Sequence, residues 1–461
     1  MAKLLIKNIE LLHTPNGEMQ NIAVEDNKIV YVGKDVPADF AADEIVDGKG
    51  KLATAGMVNT HGHVSMTLLR SYADDMALMD WLQNKIWPIE DKMDANDIYW
   101  GAMLGIVEML KGGTTCFADM YAFMEDVARA CAETGIRANL SRGLIGVAPD
   151  KDVKLAENTV LAKNWQGYDN GRIRITYGPH APYTCPVDYL EKVIAEAAAN
   201  KAEIQMHLCE TKFEVDTVVK EHGMTPIQLM DKLGMFELGT IAAHCVHLTD
   251  EDMDIMAAKH VRVAHNPQSN LKLASGIAPV AAMLNKGICV GLGTDGASSN
   301  NNLDMLEECR AAAMLHKATT FDPLVVPAKK AWEMATVDGA KTLGFADTGL
   351  LEAGQQADIV LWDMHKPYWY PRHNKLSQLV YAASSTDADT VFVAGKKVVE
   401  AGKLLTFDEE KIYALRLICG KYAADNMAGF DEAIRRSLSR TGIVKIILRE
   451  ISGKQKKLPE K

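Results

Sequence analysis

Residues 57–66 read MVNTHGHVSM, an apolar lead-in that ends in His61 and His63. Successive side chains on a β-strand point to opposite faces, so the two imidazoles project to one side and Gly62 to the other. Two convergent ring nitrogens at a strand end make half of a metal site, while a hydrogen-bonded histidine pair is the plainer alternative. The choice turns on whether further ligand-type residues recur at later strand ends.

They do recur. Between about residues 56 and 345, strand-like and helix-like segments alternate, the signature of parallel β/α units. The strand candidates are GMVNTHGH, TTCFADM, RANLSRGL, RIRITYGPH, AEIQMHLCE, TIAAHCVH, VRVAHNP and ICVGLGTDG, several of them near-continuous apolar runs suited to burial on both faces. Among the helices between them, Asp94 to Lys111 stops at Gly112-Gly113, Pro186 to Ala199 opens on proline, and Ala278 to Lys286 ends at Gly287. An eightfold alternation predicts an α/β fold, a (β/α)8 TIM-type barrel. An open doubly wound sheet competes, but no G-x-G-x-x-G follows a strand.

Polar residues fall where a barrel needs them. His61 and His63 end the first strand, Asp119 the second, Arg142 the third and His180 the fourth. His207 and Glu210 end the fifth, His244 and His247 the sixth, His265 the seventh and Asp295 the eighth. The C-terminal strand ends of such a barrel meet on one face, where its active site lies.

Outside this region the texture is β-rich at both ends. Lys3 to Val36 reads as short strands with turns at Pro15-Asn16-Gly17 and Asp26-Asn27, and the pattern returns in Ala357 to Asp363 and Asp389 to Leu404. The two ends are expected to build one small β-sandwich around the insertion. The predicted division is therefore 1–55 and 351–407 for the sandwich, 56–350 for the barrel, and 408–461 for a C-terminal helix with a basic tail.

With 461 residues, 48% hydrophobic and 24% charged, the chain supports a large core. Its net charge of -11 argues against nucleic acid, whose binding depends on clustered Lys and Arg. No apolar run nears the roughly 18 residues of a membrane span, and the first residues lack the apolar core of a leader. A cytoplasmic location is expected, without membrane association. The eight cysteines are scattered without a C-x-x-C pair and read as free thiols.

The longer segments carry a resemblance. MVNTHGHVSMTLLR, DWLQNKIWPIE, YGPHAPYTC, TIAAHCVHLT, HNPQSNLKLASGIAPV and GTDGASSNNNLDM resemble the metal-dependent amidohydrolase superfamily, in particular its 5-methylthioadenosine/S-adenosylhomocysteine deaminase branch, up to about residue 435. The resemblance implies one divalent metal ion, zinc above others, held by His61, His63, His207 and Asp295. Three imidazoles and a carboxylate agree with zinc chemistry, in which a catalytic site keeps a position open for water. It also implies a small-molecule, adenosine-derived substrate and hydrolytic deamination of the adenine ring of 5′-methylthioadenosine and S-adenosylhomocysteine. A homo-oligomer is expected.

Within that frame the residues take roles. Glu210, just beyond a ligand, is the expected proton shuttle, since a general acid or base must reach the reacting group. Asp295 would both ligate and accept a proton from the attacking water, and by the family pattern His244 would align that water. Glu90 matches an acid for the ribose hydroxyls, His180 a nucleoside contact, and Arg142 a fork for the homocysteine carboxylate. His247 is read as structural and His265 as a neighbour of a ligand; Trp81, Trp87, Met66 and Met79 are candidate pocket walls. Two departures stand out: Lys154 where the family pattern has arginine, and Gly62 where threonine is usual. The rival readings are another superfamily reaction, of guanine or triazine type, or a catalytically inactive assembly protein on the same barrel.

Overall fold

The computed structural model describes residues 2–36 and 38–411. The expected C-terminal helix and basic tail lie outside these, apart from their first residues. The described residues up to Phe407 fall in one compact unit.

Five strands precede the alternating region: β1 (Lys3–Leu11), β2 (Gln20–Glu25), β3 (Lys28–Gly33), β4 (Glu44–Asp47) and β5 (Lys51–Ala55). Nine follow in the alternating region: β6 (Met57–Asn59), β7 (Thr114–Tyr121), β8 (Arg137–Leu144), β9 (Ile173–Ile175), β10 (Gly178–Pro179), β11 (Ile204–Leu208), β12 (Thr240–His244), β13 (Arg262–His265) and β14 (Val290–Leu292). Four close the described chain: β15 (Ile359–Asp363), β16 (Ala388–Val393), β17 (Lys396–Glu400) and β18 (Lys403–Leu404).

Both chain ends enter one nine-stranded sheet, in the order β18-β17-β16-β15-β5-β1-β2-β3 with β4 beside β1. Its core joins Ile6, Ile9, Ile22 and Val24 from the start of the chain to Ile359, Leu361 and Phe392 from the end. The join is antiparallel: β5 pairs with β15, and Trp362 Nε1 donates to Thr54 Oγ1 at 2.8 Å.

The middle strands pair in parallel in two sheets, β10-β8-β7-β6 with β9 on β8, and β11-β12-β13-β14. Every residue of β7, β11 and β12 is buried, as their apolar runs predict for strands covered on both sides. Backbone hydrogen bonds cross both seams between these sheets. Thr60 N donates to Leu292 O at 2.8 Å, and at the other edge Gln205 N donates to Tyr177 O at 2.9 Å and His207 N to His180 O at 3.0 Å. The fourth predicted strand is broken into β9 and β10.

The helix Ala95–Lys111 shows how local sequence serves the strand ends. Asp94 caps it in a capping box with Asp97, and Gly112 follows its last turn. A Cβ at Gly105 would lie 2.6 Å from Val64 Cγ2 and 3.0 Å from Val64 O, so only glycine lets the 3-10 turn Val64–Leu69, directly after His63, pack this closely. The two other predicted helices form over shorter spans, Val187–Ala199 with Pro186 as its N-cap, and Val280–Asn285.

One buried ion pair binds the parallel strands to the terminal sheet. Arg137 Nε and Nη2 donate to Asp358 Oδ2 and Oδ1 at 2.8 and 3.0 Å, and Ala394 N adds a bond to Oδ1 at 2.7 Å. Among the described residues no helix is long and apolar enough to cross a membrane.

Candidate active site and metal centre

The strand ends converge. His61 and His63 follow β6, His207 lies in β11, His244 ends β12 and Asp295 follows β14. Ligand atoms of His61, His63 and Asp295, and separately of His61, His207 and His244, lie within 4.8 Å of one another. Asp295 Oδ1 is 3.2 Å from His63 Nε2 and 3.5 Å from His61 Nε2, and the Nε2 atoms of His63 and His207 are 3.4 Å apart.

Each ring is aimed by a bond on its far side. His63 Nδ1 pairs with Met120 O and His207 Nδ1 with His180 O, both at 2.7 Å, so a proton on Nδ1 leaves each Nε2 lone pair facing the centre. His244 Nδ1 lies 2.8 Å from Asn270 Oδ1. Asp295 Oδ2 accepts from Ser269 Oγ at 2.6 Å and Ser299 Oγ at 3.0 Å, which turns Oδ1 toward the histidines. His244, Cys245 and Asp295 take left-handed backbone, with φ of 73°, 50° and 61°. Such conformations cost of order 1 kcal/mol or more apiece and concentrate at functional sites.

His61 Nε2 is buried and has no hydrogen-bond partner. A buried lone pair left unpaired is unfavourable, and this one belongs to both clusters, so a divalent cation fits the atoms present. The electrostatics agree. Burial lowers His61 to about 4 and drives His207 well below its usual value, keeping both imidazoles in the neutral form that ligates. Burial also opposes charge on His63, yet the hydrogen bond and charge of Asp295 lift it to about 9. The field that favours a proton there favours a metal cation equally.

Glu210 is buried beside this group, its Oε2 3.9 Å from His244 Nε2, with burial raising its pKa. Glu210 belongs to neither of the two metal-binding groups. A cavity of about 550 Å³ adjoins these groups, lined by His63, Glu210, His244 and Asp295 and also by Glu90, Arg142, Lys154 and His180. Met66, Trp81 and Trp87 line it as expected, whereas Met79 is not among its lining residues.

The outer residues are already engaged. Tyr121 OH donates to Glu90, and His180 Nδ1 lies 2.9 Å from Thr184 Oγ1. Arg142 Nε donates to Glu157 Oε2 at 2.7 Å and Nη1 to the carbonyls of Tyr121 and Gly143, while Lys154 pairs with Asp150 at 2.9 Å. His247 Nε2 meets Ser275 O at 2.8 Å, consistent with a structural part. His265 pairs with His316 at 3.1 Å rather than with a member of the metal-binding group. Sequence reading missed Tyr121, Asn270, Ser269 and Ser299. Ser269 and Asn270, in the HNPQSN stretch, and Ser299, in GTDGASSNNNLDM, sat in motifs already under scrutiny, and Tyr121 did not.

Parallel strands with covering helices, and a histidine–carboxylate cluster at their C-terminal ends, define a metal-dependent hydrolase class. The amidohydrolase family model matches residues 52–398, and the chain belongs to that family. It is 54% identical over 370 residues to a 5-methylthioadenosine/S-adenosylhomocysteine deaminase of Dictyoglomus thermophilum, covering 80% of this chain and 87% of that one. It is 50% identical over 420 residues to the deaminase of the same name from Desulforamulus reducens, covering 89% and 97%. Among solved structures, an adenosine deaminase from Xanthomonas campestris with bound zinc superposes with a TM-score of 0.85 at 34% identity, over 94% of this chain and 99% of that one. An atrazine chlorohydrolase from Arthrobacter aurescens, also in complex with zinc, gives 0.82 at 25% identity, over 90% and 99%.

Proposed function

We infer that the chain is a metal-dependent hydrolase that deaminates the adenine ring of 5′-methylthioadenosine and S-adenosylhomocysteine, releasing ammonia and the inosyl product. The observation that carries this reading is the gathering of His61, His63, His207 and Asp295, with His63, His207, Asp295 and Glu210 lining one cavity. Relatives about half identical to this chain over most of its length bear the name of that activity.

We assign the ligand set as His61, His63, His207 and Asp295, with zinc the ion that three imidazoles and one carboxylate suit best. Bound there, the ion would supply a Lewis acid that brings the pKa of water near 7. Asp295 takes a proton from the attacking water while His244, oriented by Asn270, aligns it. Glu210 gives its proton to the ring nitrogen as water adds to C6, takes up the C6 hydroxyl proton as the tetrahedral carbon collapses and passes it to the amine, which leaves as ammonia; the proton held by Asp295 then returns to Glu210 and resets both groups.

Glu90, held by Tyr121, accepts the ribose hydroxyls, and His180 contacts the nucleoside. Arg142 lies where the thioether tail would end. Its guanidinium is shared with Glu157 and two carbonyls, and Lys154 with Asp150, which favours a modest carboxylate grip and leaves room for the uncharged methylthio tail.

The bonds across both sheet seams support a single closed (β/α)8 barrel over 56–350, and the shared core of the terminal strands supports a sandwich of 1–55 with 351–407. A homo-oligomer in the cytoplasm completes the reading. Steady-state kinetics on methylthioadenosine, S-adenosylhomocysteine and adenosine, followed by the adenine-to-hypoxanthine absorbance change, tests it. Guanine and triazines serve as the rival panel. Inactivity on every adenosine thioether overturns the reading.

A further inference from the structure

The helix Lys212–His222 begins two residues after Glu210 and carries a fully buried carboxylate in its first turn. Glu214 Oε1 accepts from the backbone N–H of Cys209 at 2.7 Å, and Oε2 from that of Glu210 at 3.0 Å. Its own N–H donates to the hydroxyl of the N-cap residue Thr211 at 3.2 Å. An ordinary capping box would return the side chain of this residue to the N-cap amide. Here it reaches further back, to the two residues that leave β11.

Those two residues are held from the other side as well. Cys209 O accepts from Val246 N at 3.0 Å and His247 N at 2.9 Å, so the turn after β11 is tied to the turn after β12 that presents His244. Cys209 itself is left-handed, with φ of 55°, a conformation that a residue bearing a Cβ adopts only when its surroundings impose it. The reversal at Cys209 sends the Glu210 side chain back over the histidines. Glu214 is absent from the cavity lining, so it acts on this turn without facing a substrate.

We propose that Glu214 is a positioning residue for Glu210: its two carboxylate oxygens clamp the Cys209–Glu210 turn and so fix where the Glu210 carboxylate points. The inference rests on the proton role given to Glu210 above. Two backbone N–H groups bound to the two oxygens of one side chain hold the turn and set its direction together. Glutamine at this position keeps the size but offers one oxygen, and its amide nitrogen must oppose a backbone N–H.

The test is a double-mutant cycle on the full-length, metal-loaded protein with Glu214→Gln, Glu210→Gln and both together. It is read as kcat and KM on whichever adenosine thioether the wild type turns over, with metal content and thermal melting measured alongside. Glu214→Gln should keep wild-type metal content and a KM within about threefold, and lose roughly 10- to 100-fold in kcat, the scale of a misplaced catalytic group. The double variant should be no slower than Glu210→Gln alone, because residues acting as a unit are not additive. A kcat within about twofold of wild type overturns the proposal. So does a double loss equal to the product of the single losses, or a kcat loss that merely follows loss of metal. If Glu214→Gln does not fold, Thr211→Val, which removes the hydroxyl that seats the Glu214 amide, replaces it in the same cycle. Full turnover by Glu210→Gln would instead remove the proton role itself, a result distinct from an intact Glu210 dependence with a silent Glu214→Gln.

Discussion

Asp295 Oδ1 lies 3.2 Å from His63 Nε2, although the strands before them are the first and the last of the parallel set. Nothing local in the sequence brings these residues together; the hydrogen bonds from Thr60 N to Leu292 O and from Asp295 N to His61 O at that seam do. The metal-binding group is therefore a product of the completed fold, and its loss is separable from unfolding.

Asp295→Ala should remove the bound ion while leaving the protein folded. Elemental analysis is expected to fall from about one ion per chain to a small fraction, with turnover gone. Chelating the wild type should lower its melting temperature by several degrees, since an ion at a thousand times its Kd stabilises by about 4 kcal/mol. Full occupancy in the variant would dismiss the assigned ligand set.

Glu210→Gln keeps the shape of the side chain and removes its proton chemistry. Metal content should stay at the wild-type level while kcat falls by roughly 10²- to 10⁴-fold, the usual worth of general acid–base catalysis. Rates near those of the wild type would refute the assignment.

The buried pair His265 and His316 makes the fold sensitive to acid. Burial lowers His316 to about 4, whereas the unfolded chain takes up that proton near 6.5. Between those values the unfolded state binds more protons, so stability is full above pH 6.5 and declines toward pH 4, by at most about 1.4 kcal/mol per unit for this group. Urea unfolding at pH 7 and pH 5 should show a steeper loss for the wild type than for His316→Leu. Equal losses would count against the pair as the cause.

Asp358→Ala leaves Arg137 charged and buried without its partner. A stability loss of about 3–5 kcal/mol is expected from breaking such a pair, far more than for a surface bridge. Denaturant unfolding measures it, and a loss below about 1 kcal/mol would contradict the structural weight given to the pair.

Lys154→Arg restores a planar fork beside Arg142. The kcat/KM ratio for S-adenosylhomocysteine over methylthioadenosine should rise by roughly 3- to 10-fold, the modest gain of one bidentate contact at a partly exposed site. An unchanged ratio would place the carboxylate elsewhere.

Much of this was legible in the residues themselves. The alternation of apolar strands and amphipathic helices marked the parallel sheets, and histidines at strand ends marked the centre, because both patterns are local consequences of burial and pleat. The join of the two chain ends was legible in the shared β-rich texture of Lys3 to Val36, Ala357 to Asp363 and Asp389 to Leu404, although the strands that meet across it are β5 and β15. What stayed hidden was second-neighbour geometry. Tyr121, Ser269 and Ser299 are ordinary residues in sequence, and only the fold sets their hydroxyls against Glu90 and Asp295. Glu214 was likewise hidden, because an acid in the first turn of a helix reads as a routine cap. The break between β9 and β10 was missed because RIRITYGPH is continuous in composition, and it shows only in the register, where Tyr177 turns to bridge Ile204.

The antiparallel pairing of β5 with β15 also dictates an order of events during synthesis. The strand Lys51–Ala55 leaves the ribosome early, yet its neighbour Ile359–Asp363 is made only after every helix of the middle region. Until then one edge of the nascent sheet stays open, a template for wrong partners. Such non-local closure makes for slow maturation, and cells producing this protein would gain from chaperones that shield that edge while translation finishes.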